Sequence, residues 1–229
     1  MDKKQHVCLN CPVANLCLPT GLSVDDINKL DDVVQEKISL QPGELLFQIG
    51  EQFDNFYAIS EGSLKNYILT EDGREQIHGF YFSSEMIGLD AVDTGSYRSS
   101  AKALEATRVC VIPFASLLDT ANKLPSLQKQ IITLMSQRLR IDMSLPRNSD
   151  AKERLAAFLL NISARANYRK NTVDFILPMP RADIANHLGL AVETVSRTIS
   201  YFHAEGILSV QGKHLHINDF RQLQKLACP

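Results

Sequence analysis

The strongest constraint on the fold is a pattern of small and aliphatic residues between Arg181 and Ile199. Ala185 is small enough for two helices to approach each other, and Gly189 permits a left-handed turn between them. Aliphatic side chains at helical spacing on both sides of the turn would hold the two helices together: Ile184, Leu188, Val195 and Ile199. This spacing predicts a helix-turn-helix, with an accidental helical hairpin as the alternative.

The second helix of this motif carries an outward face that can contact bases. Its N-terminal end, the part that enters the major groove, presents Val192, Glu193, Ser196 and Arg197. Arginine can bind guanine O6 and N7 together, glutamate can accept from cytosine N4, and serine or an apolar group can contact thymine. We therefore predict that these four residues bind DNA. A solvated polar face is the alternative.

Sequence around this motif predicts a complete winged domain. An amphipathic helix is expected over Lys152–Tyr168 and a short strand over Val173–Leu177. Residues 207–210 and 214–217 flank a Gln-Gly-Lys turn, which predicts a hairpin whose Lys213 lies near phosphate. Residues 151–229 hold ten Lys and Arg against six Asp and Glu, a net charge of +4, whereas the remainder has −6. Only the C-terminal domain is therefore expected to contact nucleic acid.

Short alternating segments separated by turn residues occupy the chain from Ile38 to Phe114. Such spacing predicts a small antiparallel barrel or roll, followed by a short helical turn over Ser116–Thr120. The strand-sized segments are Glu44–Ile49, Phe56–Ser60, Ser63–Leu69 and Gln76–Tyr81.

A long helical pattern begins at Pro125 and has two apolar faces. One face comprises Leu127, Ile131, Leu134 and Ile141, and the adjacent face comprises Ile132, Met135, Leu139 and Met143. We expect the first face to pack on the roll and the second to pair with its copy in a homodimer, with one broad core face as the alternative. Asp142 would lie near the dimer seam and repel its own copy. Pro146 to Asp150 would form the domain boundary.

Three cysteines, Cys8, Cys11 and Cys17, lie close together near the N-terminus, and Cys110 lies in a strand-like segment. Thiolates at this spacing suggest a cluster or a metal that ties the N-terminus to the folded body. The same four cysteines could bind zinc. A Cys8–Cys11 redox dithiol is a third possibility, although the βαβ setting of such motifs is absent, and Cys228 is the surplus cysteine.

Other function classes find little support in the sequence. No run of about 18 uncharged apolar residues is present, and the first residues lack the apolar stretch of a secretory signal. We therefore expect a cytoplasmic protein with no membrane partner. No Ser/His/Asp arrangement, phosphate-binding glycine loop or His-Glu metal motif stands out, so we predict that the protein is not an enzyme.

Four segments together resemble the cyclic-AMP receptor protein and FNR superfamily of bacterial transcription factors, and most of all its FNR-type oxygen-responsive regulators. They are Cys-Leu-Asn-Cys-Pro-Val-Ala-Asn-Leu-Cys from Cys8, Val-Cys-Val-Ile-Pro-Phe around Cys110, Glu-Arg-Leu-Ala-Ala-Phe from Glu153, and Val-Glu-Thr-Val-Ser-Arg from Val192. The order of roll, long helix and winged helix-turn-helix also matches, so the resemblance covers nearly the whole chain.

This resemblance implies an oxygen-sensing regulator of anaerobic metabolism. It implies that Cys8, Cys11, Cys17 and Cys110 ligate an oxygen-labile [4Fe-4S] cluster, which favours a homodimer. It further implies that the dimer binds an inverted-repeat operator with TTGAT-like half-sites through Glu193, Ser196 and Arg197, and that RNA polymerase is a partner.

Two departures from the family pattern affect these expectations. The stretch after Asp142 is shorter than in FNR-type proteins and contains Pro146. Arg98 and Ser99 lie where cyclic-AMP receptor proteins hold the nucleotide phosphate, but Leu89 replaces their ribose-binding glutamate, which would leave a sugar hydroxyl unpaired. A cyclic-nucleotide-responsive factor is the alternative to the oxygen sensor, although Leu89 counts against it.

The expected fold class is α+β: an antiparallel roll resembling a cyclic-nucleotide-binding jelly roll, a long dimerisation helix and a C-terminal winged helix-turn-helix. The expected segments are 1–20 for the cysteines, 21–115 for the roll, 116–145 for the helices and 146–229 for the DNA-binding domain.

Overall fold

Short antiparallel strands build the N-terminal part of the protein. The structure is a computed structural model that describes residues 8, 11–14, 17–34, 37–143, 149–166 and 173–227. Helix α1 (Val24–Asp31) precedes two four-stranded sheets, in the orders β1-β8-β3-β6 and β2-β7-β4-β5. The strands are β1 (Lys37–Leu40), β2 (Leu45–Phe47), β3 (Asn55–Glu61), β4 (Ser63–Leu69), β5 (Glu75–Phe82), β6 (Met86–Ile87), β7 (Ser100–Ala103) and β8 (Thr107–Pro113).

Both sheets contribute to one hydrophobic core. Phe47 from one sheet and Phe56 from the other are both buried in it, together with Ile59, Leu64 and Val109. The rings of Phe53, Phe56 and Phe114 pack against one another at centroid distances of 5.1 to 5.5 Å, which suits edge-on aromatic contact. The predicted antiparallel roll is therefore confirmed.

Helix α2 (Phe114–Lys123) is longer than the predicted turn over Ser116–Thr120. Phe114 at its first position packs against the core, and Leu117 and Ala121 are buried. Burial along this face extends the helix beyond its most helical-looking residues, because tertiary packing outweighs local propensity.

The long helix α3 (Pro125–Met143) has the two faces that its sequence predicts. Leu127 is fully buried, and Ile131 and Leu134 pack against the roll core. By contrast, Ile132 and Leu139 are 66% and 63% exposed. Leu127, Ile131 and Leu134 of the first face therefore pack within one chain, whereas Ile132 and Leu139 of the second face remain open to solvent.

The C-terminal part is a winged helix-turn-helix, as predicted. Gly189 ends α5 with φ 62°, a left-handed conformation that glycine adopts without strain. Strands β9 to β11 form an antiparallel sheet in the order β10-β11-β9. The elements are α4 (Ala151–Ala166), β9 (Asp174–Ile176), α5 (Arg181–Leu188), α6 (Val192–Ala204), β10 (Leu208–Gln211), β11 (His214–Ile217) and α7 (Phe220–Ala227).

The chain divides into two compact units, Met1–Ile68 with Phe80–Arg138, and Leu69–Gly79 with Leu139–Pro229. The turn between β4 and β5 thus groups with the helix-turn-helix. Within this second unit, the Ile77 amide donates to Asn186 Oδ1 at 2.8 Å, and Asn186 Nδ2 donates to the Glu75 carbonyl at 2.6 Å. One α5 side chain therefore satisfies two backbone groups at the start of β5.

The α+β architecture predicted from the sequence is confirmed. Three predicted features lie outside the described residues. They are Pro146 at the start of the predicted domain boundary, the C-terminal end of the helix predicted to reach Tyr168, and the surplus Cys228.

Replacing Gly62 with alanine should destabilise the roll strongly. Gly62 has φ +86°, and an added Cβ would lie 2.5 Å from both the Ala106 carbonyl oxygen and Thr107 Oγ1. That hydroxyl is fixed, because it accepts from the Ser63 amide and donates to the Ser63 carbonyl. We expect Gly62→Ala to lower the free energy of unfolding by about 3 kcal/mol or more, measured by chemical denaturation.

Gly73→Ala is the matched control. Gly73 has φ +74°, and nothing lies within 4 Å of its added Cβ, so this variant should lose only the backbone preference, about 1 kcal/mol. Equal losses in the two variants would contradict the steric argument.

Candidate functional site

The four cysteines proposed as ligands line one cavity in the first unit. The cavity has a volume of about 20 Å³, room for roughly one water molecule. Its remaining lining is apolar apart from Ser60: Val13, Ala14, Leu18, Pro19, Leu30, Val34, Ala58, Ile59 and Ile112. The structure thus brings Cys8, Cys11 and Cys17 together with Cys110, which is 93 residues or more away in sequence (110 − 17).

Cys110 occupies a rigid position in the sheet. It lies in β8, the strand between β1 and β3, and pairs with Lys37 on one side and Ala58 on the other. Ladder hydrogen bonds on both edges restrain its backbone, and its side chain is buried. Cys110 therefore provides a fixed point that the N-terminal cysteines approach.

The N-terminal cysteines are held by backbone turns and by α1. The Cys11 amide donates to the Cys8 carbonyl at 3.2 Å, and the Cys17 amide donates to the Val13 carbonyl at 3.1 Å. Asp31, the last residue of α1, accepts the Cys8 amide at 2.6 Å through Oδ1. A charged acceptor makes this a strong hydrogen bond, which ties the segment to α1.

Burial favours the protonated form of the Cys8, Cys17 and Cys110 thiols. Desolvation raises the pKa of Cys17 from its ordinary value of 9.0 to about 12. It also raises the pKa of Cys8, with the neighbouring Asp31 carboxylate acting in the same direction, and the pKa of Cys110. Ligation of a metal requires thiolates, so loading this site must release protons.

The Cys17 carbonyl accepts three hydrogen bonds. It accepts from the Thr20 hydroxyl at 2.7 Å and from the Thr20 amide at 3.0 Å. Gln130 Nε2, on α3, donates to the same oxygen at 3.3 Å. Cys17 thus lines the cavity and contacts the long helix through its carbonyl.

The donor set fits an iron–sulfur cluster and also fits zinc, because four thiolates serve both. Within the ranges that the structure describes, however, no group of three or more His, Cys, Asp or Glu side chains is arranged to hold a metal ion. A [4Fe-4S] cluster is larger than a water molecule. Holding one would therefore require the lining of this cavity to rearrange.

Helix α6 places the four side chains predicted to contact DNA on its less buried face, as its helical period predicts. Val192, Glu193 and Arg197 are exposed and Ser196 is half-buried. The opposite face is buried against the rest of the domain, at Val195, Thr198, Ile199 and Phe202. The Arg197 Nε donates to the Glu193 carbonyl at 3.4 Å, a contact that a base could replace.

The wing places Lys213 at the turn between β10 and β11. Its side chain is exposed, while its carbonyl accepts the Leu177 amide at 2.9 Å. This bond connects the turn to the residue following β9, so the position of Lys213 is set by the sheet.

The predicted dimer seam lies on α3 and is partly open. Ile132, Leu139 and Asp142 are exposed, and Met135 is half-buried. This exposure is compatible with a partner surface.

The segment where a cyclic nucleotide would bind is used for packing. The Tyr97 ring stacks on Phe47 at 3.9 Å between centroids, and its hydroxyl donates to the Asn55 carbonyl at 2.7 Å. Ser99 is buried, and its hydroxyl accepts from Asn66 Nδ2 at 3.2 Å. Ser99 is thus already engaged inside the roll, whereas Arg98 is exposed.

Two residues near the cysteines were missed by reasoning from sequence: Asp31 and Gln130. Neither belongs to a motif, and their partners lie 23 and 113 residues away. An acidic residue ending a helix and a glutamine within a helix are ordinary in sequence, so only the fold reveals these contacts.

No helix in the described part of the chain combines the length and the hydropathy needed to cross a membrane.

Comparisons with known proteins agree with this architecture. A model of the cyclic nucleotide-binding domain matches residues 37–123, and a model of the Crp-like helix-turn-helix domain matches residues 153–226. The chain is 44% identical to the transcriptional activator protein anr of Pseudomonas aeruginosa, over 97% of this chain and 93% of the relative. It is 40% identical to the fumarate and nitrate reduction regulatory protein of Escherichia coli, over 96% and 90%.

A solved structure supports the same relationship. FixK2 from Bradyrhizobium japonicum superposes with a TM-score of 0.77 at 29% identity, covering 85% of this chain and 98% of that protein.

The stability of the metal-free protein should fall as the pH rises above 9. In the unfolded chain Cys17 ionises near 9.0, whereas in the folded protein it keeps its proton up to about 12. The unfolded state therefore binds fewer protons in this window, and each raised thiol lowers the free energy of unfolding by up to about 1.4 kcal/mol per pH unit.

Cys17→Ala isolates this effect, because it removes one such thiol and leaves the other titrating groups in place. Chemical denaturation at pH 8.5 to 10 should give a shallower decline for Cys17→Ala than for the parent. Parallel declines would contradict a buried, protonated Cys17.

Proposed function

Because the chain belongs to the Crp/FNR family of DNA-binding transcriptional activators, we propose that it senses oxygen through a [4Fe-4S] cluster and regulates genes of anaerobic metabolism. The observation that carries this proposal is the convergence of Cys8, Cys11, Cys17 and Cys110 on one cavity. A relative named for fumarate and nitrate reduction supports the anaerobic context.

The four cysteines would hold the cluster, which supplies an oxygen-labile inorganic centre when bound. Cys110 would supply the fixed ligand from β8, and the three N-terminal cysteines would supply the movable ones. Burial discourages free thiolates at this site. Loss of iron would therefore return the thiols to their protonated form in an apolar cavity.

A homodimer would form through Ile132, Met135 and Leu139 of α3. Family membership indicates DNA binding and dimer formation. Two exposed aliphatic side chains on one face provide the apolar contact, and Asp142 near the same seam would oppose it by like-charge repulsion. Opposed contributions of this kind leave dimerisation adjustable by a few kcal/mol.

The dimer would bind an inverted repeat with TTGAT-like half-sites. Glu193, Ser196 and Arg197 would contact bases from the exposed face of α6, Val192 would add apolar contact, and Lys213 would bind phosphate from the wing. RNA polymerase would be the further partner of a cytoplasmic activator.

Zinc and cyclic nucleotides are the competing ligands. Zinc would use the same cysteines, so only its chemistry separates it from a cluster. A cyclic nucleotide finds less support, because Tyr97 and Ser99 are committed to internal contacts and Leu89 offers no acceptor for a ribose hydroxyl.

Anaerobic purification tests the cluster directly. We expect brown protein with about four iron and four sulfide per chain, whose visible absorption bleaches in air. Cys17→Ser should lose this absorption, whereas Cys228→Ser, which removes the surplus cysteine, should retain it. Colourless protein that carries zinc and no sulfide would contradict the proposal.

Arg197→Ala tests the DNA contacts. Loss of a bidentate guanine contact should weaken operator binding by about 1 to 3 kcal/mol and reduce discrimination against an operator with the guanine replaced. The measurement is a binding titration at fixed salt. Arg221→Ala removes an exposed arginine of α7 and serves as the charge-matched control. Equal losses on operator and random DNA would reassign Arg197 to phosphate contact.

A further inference from the structure

We propose that Gln130 is the positioning residue that couples the cysteine segment to the dimerisation helix, by holding α3 in a non-dimerising position while the cysteines are close together. This inference rests on the proposed function, since it specifies how the cysteine site would control dimerisation.

The first step of the argument is the geometry of Cys17. Cys17 lines the cavity, and its carbonyl accepts from Gln130 Nε2 at 3.3 Å. A movement of the Cys17 backbone would shift its carbonyl oxygen relative to Gln130. The cavity has room for about one water molecule, so holding a larger group would require its lining, which includes Cys17, to rearrange.

The second step is the strength of the contact. A carbonyl oxygen has two lone pairs, and Thr20 supplies two donors to this one at 2.7 and 3.0 Å. The Gln130 contact is the longest of the three, so a displacement of a few tenths of an ångström is enough to break it. It is therefore sensitive to the position of Cys17.

The third step is the place of Gln130 on α3. Leu127 and Leu134, one turn before and after it, pack against the roll core. Ile132, two residues later, is exposed on the proposed dimer face. The hydrogen bond of Gln130 thus lies beside the face of α3 that packs on the roll. By restraining this face, it would also set the orientation of the proposed dimer face.

A second link runs through α1 and makes the coupling continuous. Asp31 accepts the Cys8 amide at 2.6 Å, and Ser126 of α3 donates to Asp26 of α1 at 3.4 Å. The cysteine segment thus contacts α3 directly at Gln130 and indirectly through α1. Contiguous contacts of this kind can transmit a change between two sites.

The test measures dimer dissociation by sedimentation, for cluster-loaded and cluster-free protein, in the parent and in Gln130→Ala. Removing the contact should tighten the cluster-free dimer about fivefold, as expected for loss of one neutral hydrogen bond, and leave the loaded dimer unchanged. The ratio of the two dissociation constants should therefore fall about fivefold. A merely structural role would shift both constants together.

Two further variants sharpen the result. Gln128→Ala changes an exposed glutamine on the same helix and should preserve the parent ratio. Gln130→Glu keeps the shape of the side chain but removes the donor, so it should reproduce the effect even if the alanine variant folds poorly.

The outcomes separate the two proposals. A parent with a cluster-dependent dimer whose Gln130 variants keep the full ratio would overturn the coupling role alone. A parent that binds no cluster, or whose dimer ignores it, would overturn the proposed function and this inference with it.

Discussion

The site depends on the convergence of the three N-terminal cysteines and Cys110 on one cavity. Cys110 lies in a strand hydrogen-bonded on both sides, so it cannot follow movements of the N-terminus. The other three cysteines lie on a segment held by turns, by Asp31 and by Gln130. If the four cysteines serve as ligands, a change in the shared cavity would therefore move the N-terminal segment rather than Cys110.

Under the proposed function, protonation and metal binding would compete within this cavity. An apolar lining favours neutral thiols, as the raised pKa of Cys17 shows, whereas ligation requires thiolates. The two conditions call for different separations of the sulfurs, since neutral thiols can pack around a space the size of one water molecule and a cluster needs more room. If a cluster binds here, the site would have two arrangements, which a population shift requires.

Local sequence patterns predicted those helices whose residue types and spacing specify a local geometry. The helix-turn-helix was predictable because Ala185, Gly189 and the aliphatic side chains around them specify a local geometry. Both faces of α3 followed from helical period alone. The extent of α2 did not, because packing of Phe114 on the roll decides where that helix begins.

The site was only partly predictable, because some of its contacts depend on tertiary structure rather than on a local sequence pattern. Its cysteines were found because their spacing is unusual, and the structure adds that they share a cavity. Asp31 and Gln130 were not found, since a hydrogen bond that spans 113 residues leaves no periodic signal. The grouping of Leu69–Gly79 with the C-terminal unit likewise depends on the tertiary contact of Asn186. Asp142, Glu193 and Arg197 keep their predicted roles as proposals.

Stepwise exposure of anaerobically prepared protein to air, with iron content and dimer fraction determined in each sample, tests the central claim most directly. If the cysteine site controls α3, the dimer fraction should fall in proportion to the loss of cluster iron. A dimer fraction that stays constant while the iron is lost would contradict the account.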